Sequence, residues 1–133
     1  MQSSSSGTGA RQITLVVGSG DITTTGTKAC SVLENGGTIT GVHLIANAVP
    51  TGADLTVDVK TVAFSSYTGF GSVSSITASD TPTITTATMN PRYSDTTLTG
   101  WTTAIASATV VCVAVNSAPS GGATYASLTL DVM

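Results

Sequence analysis

The sequence predicts an all-β domain, an antiparallel β-sandwich of jelly-roll-like build led by a flexible N-terminal arm. Three observations carry this. β-Branched Thr and Val favour extended backbone, and no window of a dozen residues carries a helical stripe of strong helix formers. Short extended runs recur between turns rich in Gly, Pro and Asn. Two of those runs alternate apolar and polar residues, as half-buried strands of an antiparallel sheet do.

Residues 1–12, MQSSSSGTGARQ, lack apolar periodicity and read as a solvated arm, which leaves residues 13–133 as one sandwich domain. The arm has no basic stretch followed by an apolar one, so no secretory signal is expected. The first strand is 13–17, closed by a Gly-Ser-Gly turn. Residues 28–33 form the next and lead into NGG at 35–37, the strongest hairpin signal. Residues 38–46 follow. In 54–64, Leu55, Val57 and Val59 take one face, and Asp54, Thr56, Asp58 and Lys60 the other. A loop at 65–75 carries Tyr67 and Phe70. Weak extended segments lie near Ile76 and Ile84, a second loop spans 90–95, and 96–101 reads as a short strand. Residues 108–116 are apolar on both faces and belong at the centre of a sheet. Residues 125–132 alternate again, with Ala126, Leu128, Leu130 and Val132 inward and Tyr125, Ser127, Thr129 and Asp131 outward.

Composition narrows the function classes. Only 8% of the 133 residues are charged, against about 25% in an average soluble domain. Four Lys and Arg cannot neutralise a phosphate backbone, so nucleic acid is excluded as a partner. No run of about 18 apolar residues exists to span a membrane, and no membrane partner is expected.

Catalytic and cofactor patterns are absent, and the chain reads as a non-enzyme without a cofactor. The single histidine, His43, faces away from Val42 and Leu44 and has no Cys or carboxylate at a ligand spacing; it reads as structural. No nucleophile elbow occurs. A GFG start at 69–71 lacks the third glycine and a following helix, so it is no dinucleotide loop. Asp54 and Asp58, four apart on one strand face, lie about 13 Å apart and read as solvated carboxylates. Asp21, Asp80 and Asp95 sit beside Thr in turns, where Asp caps local backbone; the spaced calcium-loop pattern is missing, and no metal site is expected. Trp101 reads as core filling, with a sugar-stacking surface shared with Tyr67, Phe70 and Tyr93 as the alternative. Cys30 and Cys112 read as buried free thiols; a disulfide requires their strands to be adjacent.

Four segments carry a family likeness: ITTTGTK at 22–28; GTITGVHL at 37–44 with DLTVDV at 54–59; SITASDTPTI at 75–84; and LTGWTTAI at 98–105 with the closing LTLDV at 128–132. In this order they resemble small β-rich domains of tailed-bacteriophage virion proteins. The resemblance implies a structural protein with no catalytic residues to carry over. With a short arm before the domain and nothing after it, the resemblance implies a capsid decoration (cement) protein, a homotrimer on the capsid surface of the virion, bound to the major capsid protein and stabilising the shell. The alternative is a tail or head fibre component with a host-receptor surface, its partner a host surface glycan. The expected capsid or subunit contacts are Gln2, Ser3 and Ser4 of the arm and Arg11 at its root, by strand addition to an exposed sheet edge.

Overall fold

The computed structural model describes residues 10–19 and 22–133. Among the described residues, ten strands form two antiparallel sheets packed face to face: β1 (Arg11–Ser19), β2 (Gly26–Leu33), β3 (Gly37–Ala46), β4 (Leu55–Ala63), β5 (Ser74–Ser75), β6 (Thr83–Ile84), β7 (Arg92–Asp95), β8 (Ala104–Ile105), β9 (Thr109–Ser117) and β10 (Tyr125–Val132). One sheet runs β1-β10-β3-β7, with β8 also on β3. The other runs β2-β9-β4-β5, with β6 also on β4. Strands one to four alternate between the sheets, and the last two long strands insert between β1 and β3 and between β2 and β4. This is the strand order of a jelly roll.

The alternation read from the sequence sets the core. Leu55, Val57 and Val59 of β4 meet Val111, Val113 and Val115 of β9. Across the sandwich lie Val42 and Leu44 of β3 and Leu128 and Leu130 of β10. Trp101 is buried there too, and its indole N–H donates to the Asp80 carbonyl at 2.8 Å. As expected, β9 is central and buried on both faces.

Five expectations need correction. Arg11 and Gln12, assigned to the arm, are the first residues of β1 and pair with Val132 and Asp131. The expected loop at 90–95 contains β7. The expected strand at 96–101 is a turn: the Asp95 carboxylate accepts from the Thr97 N–H at 2.8 Å, and Leu98 and Gly100 adopt left-handed backbone, which ends the extension. Cys30 and Cys112 are not free thiols. They sit directly opposite each other on β2 and β9, with Cα atoms 4.0 Å apart, and form a disulfide. Finally, Asp58 is not solvated: it is 4% exposed under the 74–77 segment, where it accepts from Ser75 Oγ at 2.9 Å and Thr77 Oγ1 at 2.6 Å. A buried carboxylate is tolerated when hydroxyls replace its water.

Candidate attachment surface

The outer face of the β1-β10-β3-β7 sheet is assembled by register. Gln12 stands opposite Asp131, Thr129 lies between Thr14 and His43, and Ser127 lies between Val16 and Ile45. The first two rows are knit by side chains. Gln12 Nε2 donates to Asp131 Oδ1 at 2.9 Å, His43 Nε2 lies 3.2 Å from Asp131 Oδ2, and the hydroxyls of Thr14 and Thr129 are 2.9 Å apart. In the third row Val16 and Ile45 are 45% and 52% exposed, on either side of the buried Ser127. The face therefore offers mutually fixed polar side chains beside two exposed aliphatic ones. An open hollow of about 370 Å³, lined by His43, Ile45, Arg92, Tyr93 and Ser94, continues it toward β7.

Of the expected contact residues, Gln2, Ser3 and Ser4 lie outside the described residues, as does Asp21. Arg11 is held inside its own domain. Its Nη1 donates to the Asn35 carbonyl and its Nη2 to the Gly36 carbonyl, both at 2.8 Å. The guanidinium fastens the start of β1 to the β2–β3 turn. Gly37 is needed there, because a Cβ would meet Arg11 Nη2 at 2.7 Å and the Met133 carbonyl at 2.8 Å.

At one end of the sandwich, Asp80 and Asp95 hydrogen-bond through their side chains. Burial first, then the Asp95 carboxylate, pushes the Asp80 carboxyl above its ordinary value, against the Thr99 backbone N–H. The Thr97 backbone N–H, helped by that of Leu98 and by Asp80 and Tyr93, holds Asp95 below its ordinary value against partial burial. Burial and the two carboxylates raise Tyr93, whose hydroxyl lies 3.4 Å from Asp95 Oδ2. The two carboxyls can share one proton when either is protonated. Asp95 caps local backbone as its turn position predicts.

The other sheet's outer face carries the disulfide. A hollow of about 230 Å³ there is lined by Cys30, Val32, Val110, Phe64 and Tyr67. Phe64 is 60% exposed. Because Trp101 is in the core, the aromatic surface considered from the sequence loses its largest ring.

Sequence reading missed the His43–Asp131 contact and the Asp80–Asp95 pair. Neither has a spacing signal, since the partners lie 88 residues apart in the first case and on separate loops in the second. Among the described residues no group of three or more His, Cys, Asp or Glu side chains could hold a metal, and no helix is long and apolar enough to cross a membrane. The chain matches no protein-family model and no curated protein sequence.

Proposed function

We propose that the chain is a structural protein of a bacteriophage virion, a capsid decoration protein that binds the major capsid protein and stabilises the shell. The observation that carries this reading is the outer face of the β1-β10-β3-β7 sheet. Thr14, Thr129, Gln12, His43 and Asp131 are already fixed by hydrogen bonds to one another, and Val16 and Ile45 are exposed beside them. Docking such a face immobilises few rotamer-rich side chains and desolvates few charges. Exposed apolar patches with polar surrounds mark protein contacts. Two further features support the reading. Jelly rolls recur among viral capsid domains. The Cys30–Cys112 disulfide suits an oxidising exterior such as a virion surface.

The test is binding of the purified protein to undecorated capsids, with copy number and capsid heat resistance as readouts. Binding at hundreds of copies per particle with raised heat resistance is expected, and Val16→Asp and Ile45→Asp should each weaken it. A few to a few dozen copies per particle would indicate the fibre role instead. Full binding by the Val16→Asp/Ile45→Asp double variant would remove the attachment face from the argument.

A further inference from the structure

The sandwich is closed unevenly. On one side the short strands β5, β6, β7 and β8 cover its edges. On the other, the long strands β1 and β2 are both terminal in their sheets and lie against each other. Natural edge strands are blunted by charge, Pro, bulges or brevity. Strand β2 has a bulge between Thr27 and Ala29, but from Ala29 to Leu33 it is regular, uncharged and free of Pro. The disulfide pins it to β9 at its middle, and among the described residues no strand pairs with its outer edge.

The phase of its main chain follows from the ladder. On β4, the Val57 N–H donates to Pro82 and the Val59 carbonyl accepts from Ile76, so odd-numbered residues point away from β9. Even-numbered β4 residues therefore bond Val110, Cys112 and Ala114. That leaves Thr109, Val111 and Val113 of β9 to bond Leu33, Ser31 and Ala29 of β2. The Cys30–Cys112 separation of 4.0 Å agrees, since non-hydrogen-bonded antiparallel pairs are the close ones. The N–H and C=O groups of Cys30 and Val32 consequently point out of the sheet.

We propose that this edge pairs with the same edge of a second copy, antiparallel about a twofold axis at Ser31. The register is self-complementary. Cys30 of each copy falls opposite Val32 of the other, so both outward main-chain pairs are satisfied, and Ser31 meets its own copy in a close, non-hydrogen-bonded pair. Lys28 and Glu34 stand three residues either side of Ser31. Lys28 of each copy, whose Nζ also donates to Thr24 Oγ1, comes beside Glu34 of the other. Val32, 38% exposed, is covered beside the partner copy's Cys30 at the mouth of the 230 Å³ hollow. The result is a continuous sheet across two sandwiches, the arrangement by which symmetric partners remove an unprotected edge. It leaves the proposed attachment face open and does not depend on the virion reading. A threefold assembly built on other surfaces would leave this edge bare.

Sedimentation and light scattering of the full purified chain test the proposal. The expected mass is twice the 13.2 kDa of one chain. Lys28→Glu and Glu34→Lys, each placing like charges side by side at both ends of the contact, should weaken dimerisation about tenfold, and the double exchange should restore it. Val32→Pro removes only an outward-facing donor, so it should give a folded monomer. Hydrogen exchange should find the Cys30 and Val32 amides protected in the dimer, and the Cys30 amide, which Val32→Pro retains, unprotected in that monomer. A monomer at all concentrations, a trimer indifferent to the charge exchanges, or a dimer in which both amides exchange freely would overturn the proposal. Protection of these amides only on capsids would assign the edge to the shell instead and overturn it equally.

Discussion

Reducing the Cys30–Cys112 disulfide is expected to lower stability without altering the fold. The cross-link joins residues 82 apart in sequence. Chain-entropy theory gives a loop of that length about 4.5 kcal/mol at 25 °C, while disulfides with some native strain or unfolded-state structure deliver nearer 2 kcal/mol. Unfolding entropy near 60 °C is about 2.1 cal/mol/K per residue, or about 280 cal/mol/K for this chain, so melting should fall by about 7 to 16 °C. The long ladders of β2 and β4 on β9 persist without the bond, so far-ultraviolet circular dichroism below the transition should be unchanged. The assay is thermal unfolding with and without a thiol reductant, accompanied by urea unfolding. The urea slope should rise on reduction, because an uncross-linked unfolded chain exposes more surface. A melting temperature moving by less than about 2 °C, or two titratable thiols in unreduced, unfolded protein, would refute the reasoning.

Other outcomes follow from single contacts. Leu128→Ala should destabilise by about 2 to 5 kcal/mol in chemical denaturation, because Leu128 is fully buried between β1 and β3; Thr129→Ala, on the outer face, should cost far less. Asp58→Ala should cost about 3 kcal/mol by the same assay, since it strands the hydroxyls of Ser75 and Thr77 under the 74–77 segment. The Asp80–Asp95 pair should show opposite pH signatures. Asp80, raised in the fold, stabilises below its unfolded pKa and loses that contribution as pH rises through its folded value; Asp95, lowered, stabilises above its unfolded pKa and loses that as pH falls. Asp80→Asn should therefore melt higher than the parent at pH 7, with the difference vanishing by about pH 3, whereas Asp95→Asn should melt lower at pH 7.

The elements legible in advance were those whose information is local. Alternation in β4 and β10 fixed which side chains enter the core, and the doubly apolar β9 announced a central strand. The β7 segment was invisible because RYSD has no alternation, and its extension is imposed by pairing with His43 and Leu44 of β3. Its neighbour 96–101 looked extended by composition, yet one carboxylate, Asp95, redirects the backbone through two N–H groups. In both cases a partner outside the segment overrides propensity.

The same division explains the surfaces. A strand pattern states which face a residue takes but not which residue stands across from it, and in a jelly roll the neighbours come from distant parts of the chain. Cys30 meets Cys112, and His43 meets Asp131, only because β9 and β10 insert between earlier strands. Their insertion also decides which edges stay open. Strands β9 and β10, the most apolar, are enclosed on both sides, while β1 and β2, first in sequence, are left at the border of each sheet. Short pieces cap the opposite border, but nothing in the described chain caps this one. The open border is thus a consequence of topology, and the uncharged run from Ala29 to Leu33 makes it a pairing surface rather than a solvated rim. A chain folded this way has its two unsatisfied features on different sides, the exposed Val16 and Ile45 of one sheet face and the main chain of one edge. Self-pairing through the edge would therefore present two copies of the proposed attachment face from one unit, and binding through both would strengthen attachment by raising the effective concentration of the second face.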